Sequence, residues 1–401
     1  MRRHRSDRLI GILTIFLMGL GLIVIYAIGP MRVNVLNSAY GLDYNEQYFF
    51  VHQAISVALA LLAFAFMFKF PYEKIRKWAK WLVIIGLGLS ALMLVLSWVG
   101  ASIVNCQLGA CRWFSLGPLS LQPAEILKLG LVLYLAQLVA QFQENGRLVT
   151  MSREFWLPFI VVCGLSLFFV VVAQKDLGTG VSILAIILAI LFMSGIPMRR
   201  FLLVLAAVGV AGILAVVSSP HRLERLMTFS GEGDENSSYH IENAMIAIGT
   251  GGLFGVGIGN SVQATGYLPE SINDSVFAVM GETFGFVGLM VIVICFAILL
   301  MRLLKTAEGL QSERSLVVIG VFAWMTAHVV VNIMAMTGLI PLTGITLPLL
   351  SYGGTSLLIM SGAIGLCLQL SCYTGREVRN ESISSGRRLG GAYHSSRRRS
   401  A

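Results

Sequence analysis

The stretch from residue 249 to residue 288 reads GTGGLFGVGIGNSVQATGYLPESINDSVFAVMGETFGFVG. Its first part is polar and glycine-rich, and it leads through Tyr267-Leu-Pro-Glu270 to Asp274. A long apolar run begins directly after Asp274. Because charge is costly at membrane depth, an ionisable side chain at such a junction is expected at the water boundary. The stretch therefore predicts a carboxylate where a long outer loop re-enters a membrane.

The composition of the whole chain is that of a membrane protein. Of its 401 residues, 56% are hydrophobic and 12% are charged, whereas a soluble domain carries about 25% charged residues. Several apolar runs reach roughly 20 residues, the length that crosses a ~30 Å hydrocarbon core. We predict an all-α polytopic membrane protein of the cytoplasmic membrane. Its single membrane domain covers residues 1–372, and a basic tail over 373–401 is predicted to be disordered.

The apolar runs predict ten membrane spans. They cover residues 9–28, 49–68, 80–99, 123–142, 155–173, 177–195, 200–218, 275–301, 315–338 and 348–371. The first run follows a basic start and resembles a signal peptide. Its length and the spans after it favour an uncleaved helix.

The basic residues predict the orientation of these spans. With the N-terminus inside, 23 of the 29 lysines and arginines fall in the inner segments, and cytoplasmic loops are rich in basic residues. Both termini are therefore predicted to be cytoplasmic, and the longest outer loop covers about 219–274. The same bias explains the net charge of +9, so we do not predict nucleic-acid binding. The basic tail either touches anionic membrane lipid or is simply solvated.

Ionisable side chains inside the spans are candidates for function. Glu125 and Lys128 are three residues apart on the fourth span, so they share a helix face. They form either a buried ion pair that holds helices in register or part of a substrate cavity. His328 in the ninth span is interpreted as a hydrogen-bonding residue. No group of His, Cys, Asp and Glu has the spacing of a metal site.

Three features of the outer side have a structural and a functional interpretation. Asp176 either caps the sixth span or takes part in function. The glycines at 255, 257 and 259 favour close backbone approach to lipid or another helix over a nucleotide loop. Ser351-Tyr-Gly-Gly-Thr-Ser356 is either a tight packing segment or a functional one.

Cys106 and Cys111 share an outer loop where a disulfide is possible, and the sequence leaves its formation open.

Asp274 differs from the other candidates because it lies at the end of the one long outer loop, between Glu270 and Glu282 in sequence. A carboxylate at this boundary stays ionised while partly desolvated, which suits a general base. An N-cap role for the eighth span is an equally good interpretation, and the two roles are compatible.

In these residues the chain resembles the SEDS family, the polytopic peptidoglycan polymerases typified by FtsW, RodA and SpoVE. Its motifs are most like those of FtsW. The resemblance runs from the first span to the last, and the segments that carry it begin in the second outer loop. They are Arg112-Trp113, Gly117-Pro118, Gln122-Pro-Ala-Glu125-Ile-Leu-Lys128, Asp176-Leu-Gly-Thr179, Arg222 and Arg225, Gly257-Ile-Gly-Asn-Ser-Val-Gln263, Tyr267-Leu-Pro-Glu270 with Asp274, Gly281-Glu282 and Thr346-Leu-Pro-Leu-Leu-Ser-Tyr-Gly-Gly-Thr-Ser356. The chain departs from the family at Ile272-Asn-Asp274-Ser275, where the family has His-Thr-Asp-Phe, and at Lys175, where it has proline.

The resemblance implies a reaction. Its substrate is lipid II, a disaccharide pentapeptide on undecaprenyl pyrophosphate, and its product is a glycan strand on the outer face of the membrane during cell division. The 4-hydroxyl of one sugar attacks the anomeric carbon of another, with Asp274 as general base. Candidates for binding the substrate are Arg112, Glu125, Lys128, Lys175, Asp176, Arg222, Arg225, Gln263, Glu270, Glu282 and Ser351. No cofactor is implied with certainty, and a divalent cation, Mg or Mn, is an optional aid at the pyrophosphate.

The resemblance also implies partners and leaves two rival functions. The partners are a class B penicillin-binding protein, which supplies the transpeptidase activity, and other proteins of the division complex. The first rival is a transporter that flips lipid II, which ten spans with buried charge would also serve. The second is a non-catalytic scaffold that recruits the division synthase.

Overall fold

The structure is a computed structural model that describes residues 6–107, 110–116, 119–144, 153–217 and 235–373. Within these ranges the helices are α1 (Arg8–Tyr40), α2 (Tyr48–Lys69), α3 (Tyr72–Ile75), α4 (Ala79–Val99), α5 (Pro123–Glu144), α6 (Arg153–Leu167), α7 (Leu177–Met193), α8 (Met198–Val217), α9 (Glu235–Thr250), α10 (Val276–Glu308), α11 (Ser312–Met336) and α12 (Gly354–Ser371). A 3-10 turn at Arg76–Trp78 joins α3 to α4, and a π-helical segment at Phe168–Ala173 extends α6.

All ten predicted spans coincide with helices. In the described part of the chain, eight helical segments are long and apolar enough to cross a membrane, and α7 is a shorter apolar helix of 17 residues. The α-helical polytopic class is therefore confirmed, while the count of ten spans stays a prediction. The predicted tail lies almost entirely outside the described residues.

The outer loop between α4 and α5 contains a small sheet that the sequence did not predict. Strands β1 (Val104–Gln107), β2 (Ala110–Leu116) and β3 (Leu119–Leu121) pair antiparallel in the order β1-β2-β3. Cys106 and Cys111 face each other across β1 and β2, and they form a disulfide. The hairpin therefore settles the pairing that the sequence left open.

Two helix boundaries near the outer end and the last span differ from the prediction, and one helix of the outer loop was not predicted. Helix α1 continues past residue 28 and through Pro30 to Tyr40, where its outer end packs on the loop before Asp274. The last span begins at Gly354 rather than at 348, because Leu349 has a positive φ of 66° and breaks the helix. The long outer loop contains α9, because its polar start is followed by the apolar run to Thr250.

The bundle is held by close helix pairs at glycines. Helix α12 packs along α2, where a Cβ on Gly365 would collide with the carbonyl of Phe64. Helix α5 packs along α4, where a Cβ on Gly86 or Gly130 would collide with the partner backbone. Small residues that let backbones approach are the usual means of association inside a membrane. Helices α5 and α11 lie at the centre of the bundle, and 83% and 72% of their apolar windows are buried.

The two described chain ends lie at the same end of the bundle. The backbone N–H of Asp7 donates to the hydroxyl of Ser371 at the end of α12, and the Asp7 carboxylate pairs with Arg302 near the end of α10 at 3.6 Å. Helix α10 has 33 residues, and its continuous part after a break at Gly285 is about 35 Å long. Asp274 precedes its first residue and therefore lies at the opposite end of the bundle from both termini. With the termini in the cytoplasm, that end is the outer one.

Candidate functional site

The glycine-rich loop after α9 is built into a break in α10. Helix α10 is interrupted at Gly285, whose φ of 68° is left-handed. The exposed groups of the break bond to the loop: Phe286 N–H donates to the Gly252 carbonyl at 2.8 Å, and Gly257 N–H donates to the Thr283 carbonyl at 3.1 Å. A Cβ on Gly255 would collide with the Thr283 carbonyl. The interpretation as a close backbone approach to another helix is therefore confirmed for Gly255 and Gly257, whereas a Cβ on Gly259 would meet nothing within 4 Å.

Glu282 ties the next part of this loop to the same helix. Its side chain is buried, and its two oxygens accept hydrogen bonds from the Ser261 hydroxyl, from Val262 N–H at 2.9 Å and from Gln263 N–H at 3.3 Å. A carboxylate side chain that accepts several hydrogen bonds from one loop fixes the position of that loop. Glu282 therefore anchors this loop to α10. The side chain of Gln263 is buried beside it.

Asp274 lies where two irregular segments cross at the outer end of the bundle. Its main-chain oxygen accepts a hydrogen bond from Asn332 of α11, at 2.7 Å. The neighbouring Ile272 carbonyl accepts from Tyr352 N–H at 2.8 Å. The residue is half-buried, and a Cβ placed on Gly344 would lie 3.9 Å from its Oδ2, an ordinary van der Waals distance. The missing side chain of Gly344 thus leaves room beside the carboxylate.

The residues on either side of Asp274 are held by two further elements. The Ser275 hydroxyl donates to the Pro269 carbonyl at 2.9 Å, and it lies 2.6 Å from Nε2 of His240 on α9. Because the single hydroxyl proton is used, His240 is the donor in the second bond. Ser275, not Asp274, is the N-cap residue of α10. The N-cap interpretation of Asp274 is therefore wrong.

Glu270 is held by the outer extension of α1. It has a positive φ of 50° and pairs with Arg32 at 3.6 Å. Its carboxylate also accepts from the Asn273 amide, and its carbonyl accepts from Asn273 N–H at 2.9 Å. These bonds close the turn that carries Asp274.

A polar stripe on α11 connects this turn to the centre of the bundle. Trp324, His328 and Asn332 follow one another at intervals of four residues, so they share a face. His328 Nδ1 lies 3.2 Å from the Thr346 carbonyl, and Asn332 also donates to the Ile345 carbonyl at 2.7 Å. The stripe therefore holds residues 345 and 346 immediately beside Asp274.

Lys128 and Glu125 form a fully buried ion pair below this stripe. The Lys128 Nζ lies 2.8 Å from the Glu125 Oε1, 3.1 Å from Nε2 of His328 and 4.7 Å from the Trp324 ring centroid. An ammonium has only donors, so His328 accepts from Lys128 and donates through Nδ1 to Thr346. His328 is thus the satisfied hydrogen-bonding residue that the sequence predicted. The second oxygen of Glu125 is buried without a hydrogen-bond partner in the described structure.

Asp176 is the N-cap of α7. Its Oδ1 accepts from Thr179 N–H at 3.0 Å, and its Oδ2 accepts from the Thr179 hydroxyl at 2.8 Å and the Gln122 amide at 3.3 Å. The capping interpretation is confirmed. Arg112 on β2 lies 3.9 Å from the same carboxylate and donates to the Lys175 carbonyl at 2.8 Å. Lys175 has an exposed side chain and a left-handed φ of 53°, a conformation that the usual proline cannot adopt.

Residues 343–346 bring these groups together. A Cβ on Gly178, at the start of α7, would collide with Ile345 and with the Thr343 carbonyl. Gly344 faces the Asp274 carboxylate, and the Thr346 carbonyl meets His328. This short segment thus lies beside the start of α7 that Asp176 caps, beside Asp274, and beside His328, which contacts Lys128.

The remaining candidates either serve a turn away from Asp274 or lie outside the described residues. Ser351 is buried, and its hydroxyl accepts from Leu347 N–H at 2.8 Å, which closes the turn before α12. Arg222 and Arg225 lie outside the described residues. Among the described residues, no group of three His, Cys, Asp or Glu side chains could hold a metal ion. A cation shared with substrate phosphates needs only one or two carboxylates, so that expectation stays a prediction.

The sequence interpretation missed three residues that position the site. Asn332, His240 and Arg32 each contact Asp274 or its turn. The four-residue interval from His328 was the available signal for Asn332. Nothing in the sequence linked His240 or Arg32 to residues so distant along the chain.

The fold and the site define a polytopic α-helical membrane protein with a carboxylate-bearing loop at the end of the bundle opposite its described chain ends. The family model described as a cell cycle protein, FtsW/RodA/SpoVE, matches residues 7–376. The chain belongs to the FtsW/RodA/SpoVE family, as the sequence motifs indicated.

Individual relatives are similar over nearly their whole length. Stage V sporulation protein E of Bacillus subtilis is 33% identical over 378 residues, 93% of this chain and 99% of that protein. A protein named "Probable peptidoglycan glycosyltransferase FtsW" from Saccharophagus degradans is 36% identical over 344 residues, 83% of this chain and 86% of that protein.

Two solved structures share the fold. A chain described under "Structural coordination of polymerization and crosslinking by a peptidoglycan synthase complex" has a TM-score of 0.70 and 25% identity, covering 91% of this chain and 97% of that chain. The crystal structure of the rod shape determining protein RodA of Thermus thermophilus has a TM-score of 0.62 and 26% identity, covering 91% and 96%.

Proposed function

We propose that this chain is a peptidoglycan glycosyltransferase that polymerises lipid II on the outer face of the cytoplasmic membrane during cell division. Relatives that bear the name FtsW are named for that enzyme class. The observation that carries the proposal is the position of Asp274. It is half-buried and lies at the end of the bundle opposite the two described chain ends, and its Oδ2 faces Gly344, which has no side chain to cover it.

The reaction needs one base and one site for negative charge. The 4-hydroxyl oxygen of the acceptor sugar forms a bond to the anomeric carbon of the donor. The bond from that carbon to the pyrophosphate oxygen breaks, and its electron pair leaves with the lipid pyrophosphate. The proton of the hydroxyl passes to the Asp274 carboxylate, which must come within about 3 Å of that oxygen. A single displacement of this kind inverts the anomeric carbon.

Positive charge near Asp274 would stabilise the leaving pyrophosphate. Lys175 has an exposed side chain at the start of α7. Arg112 lies beside it and is anchored to the Asp176 carboxylate at 3.9 Å. Segment 343–345 packs against the start of α7 and also lies beside Asp274, so it connects the turn of the base to the helix start that Lys175 and Asp176 precede. Arg222 and Arg225 are proposed to contribute to the same task.

The turn around Asp274 is rigidly supported, as a positioned base requires. Asn332, Arg32 and His240 hold it from three different helices, α11, α1 and α9. The Glu125–Lys128 pair is proposed to support this arrangement through His328 rather than to touch substrate, because Lys128 is fully buried and its ammonium is surrounded by Glu125, His328 and the Trp324 ring. The transpeptidase that crosslinks the product is proposed to be a class B penicillin-binding protein, acting with other division proteins.

Purified protein in proteoliposomes that carry lipid II tests the proposal. We expect glycan polymer to form, and Asp274→Ala to abolish it while the protein stays folded. Asp43→Ala is the matched control, because it removes an exposed carboxylate from the α1–α2 loop on the same side. Movement of lipid II between leaflets without polymer would establish the transporter instead. Neither activity, with full complementation of depleted cells by Asp274→Asn, would establish the scaffold.

A further inference from the structure

A polar cavity of about 500 Å³ lies at the end of the bundle opposite Asp274. It is formed where the beginning of α1, the last turns of α10 and the end of α12 meet. Its lining includes Asp7, Arg8, Leu9, Arg302, Lys305 and Ser371. The volume falls in the range of ~300–1,000 Å³ that small-molecule sites occupy.

The walls of this cavity are fixed by contacts around Asp7. Its carboxylate caps α1 by accepting from Leu9 N–H at 3.1 Å, and it pairs with Arg302 of α10 at 3.6 Å. Its own N–H donates to Ser371 of α12 at 3.0 Å. Three helices are therefore joined at one residue, and the cavity beside it has a defined shape.

The charge of the lining selects an anion. Arg8, Arg302 and Lys305 bring three positive charges, and among the described residues of the lining Asp7 is the single carboxylate. Arg302 forms an ion pair with Asp7, whereas the side chains of Arg8 and Lys305 are exposed. The N-terminus of α1, with its positive dipole end, opens onto the same space. The described side chains of the lining therefore carry a net charge of about +2, which attracts a phosphate group.

The surroundings favour a lipid over a soluble anion. Leu9 lines the cavity and is 39% exposed, and the same face of α1 continues with exposed Ile12 and Phe16. These positions follow a helical interval of three and four residues, so they form one apolar stripe that runs from the cavity into the membrane. A phosphate headgroup in the cavity would place its acyl chains along that stripe. Basic pockets between membrane helices on the cytoplasmic side are known lipid-headgroup sites.

We propose that the cavity between α1, α10 and α12 binds the phosphate headgroup of an anionic phospholipid from the cytoplasmic leaflet. The orientation follows from the positive-inside distribution of the chain, and the site is separate from the glycan chemistry at Asp274. The bound headgroup contacts α1, α10 and α12, the same three helices that Asp7 joins.

Native mass spectrometry of the delipidated full-length chain, titrated with phosphatidylglycerol in detergent, tests the proposal. The test variant is Arg8→Gln with Lys305→Gln, which leaves the Asp7 contacts intact. The control is Lys77→Gln with Lys80→Gln, which removes the same charge from exposed positions near the start of α4. We expect the test variant to bind about thirtyfold more weakly, and the control to stay within about threefold of the unmodified chain.

Other outcomes would overturn the proposal. Equal weakening in both variants would show general attraction of basic residues to anionic lipid. Equal binding of phosphatidylcholine would show that the cavity does not recognise the anionic headgroup. Loss of the bound lipid on addition of millimolar inorganic phosphate, with retention of phosphate in its place, would assign the cavity to a soluble anion. Melting temperatures measured on all variants show whether each remains folded.

Discussion

Asn332 of α11 binds the main-chain oxygen of Asp274 at 2.7 Å, and the same amide nitrogen binds the Ile345 carbonyl at 2.7 Å. One buried side chain thus joins the turn that carries the proposed base to the segment that faces its carboxylate. Neither segment is helical, so neither satisfies these carbonyls by itself. The position of Asp274 therefore depends on a residue 58 positions away in the chain.

Asn332→Ala should slow polymerisation more than it weakens substrate binding. The change leaves two carbonyls without their donor, at a cost of about 1–3 kcal/mol each where they are buried. The base would then sample several positions, and we expect a rate at least roughly tenfold lower. Polymer yield against lipid II concentration separates the two effects. Thr326→Val, an isosteric change on the same helix, is the control, and an unchanged rate in Asn332→Ala would contradict the positioning role.

The Glu125–Lys128 pair should behave as a structural ion pair. Lys128→Met alone leaves Glu125 as an uncompensated buried charge, and we expect a loss of about 3–5 kcal/mol in stability. Glu125→Leu combined with Lys128→Met removes both charges and should recover most of the melting temperature. If the pair only supports His328, the double variant also recovers part of the polymerase activity. A double variant that is stable but fully inactive would instead assign the pair to the substrate cavity.

Glu282→Ala should release the loop that it holds. The carboxylate accepts from the N–H groups of Val262 and Gln263, so both amides should be protected from exchange in the unmodified protein. Hydrogen–deuterium exchange of peptides covering residues 256–268 should speed up at least about tenfold in the variant. Glu308→Ala, which removes an exposed carboxylate at the other end of α10, should leave this exchange unchanged. Unchanged exchange in Glu282→Ala would show that other contacts hold the loop.

Asp176 should tolerate asparagine better than alanine. Asparagine is a good N-cap, whereas alanine costs about 0.5–2 kcal/mol at such a position. Alanine also removes the partner of Gln122 and Arg112. We therefore expect a lower melting temperature for Asp176→Ala than for Asp176→Asn. Equal melting temperatures would show that the negative charge, and not the cap, is what the protein uses.

Local patterns were enough to predict the α-helical class and most of the helices. Apolar runs predicted the membrane helices because the membrane admits few other structures. The basic residues predict the orientation, and Asp274 was singled out because an ionisable group next to an apolar span is rare; both stay predictions. For Asp176 and for Glu125 with Lys128 the sequence left two interpretations open, and the structure shows the cap and the buried ion pair.

What the sequence did not predict depends on contacts between distant segments. The extension of α1 to Tyr40 is stabilised by the pairing of Arg32 with Glu270, which no local pattern reveals. The break in α10 at Gly285 is possible because the loop at Gly252 and Gly257 supplies the missing hydrogen-bond partners. His240 reaches Ser275 only through the fold of the outer loop. Such pairings require the three-dimensional arrangement of the bundle.

The central claim is that the Asp274 carboxylate takes the proton of the attacking sugar hydroxyl. A single-turnover measurement on the reconstituted protein tests it directly, with lipid II binding measured on the same preparations. We predict that Asp274→Asn, which keeps the shape and loses the base, binds lipid II with unchanged affinity and forms glycan at least about a hundredfold more slowly. Glycan formation by Asp274→Asn at the rate of the unmodified protein would contradict the account.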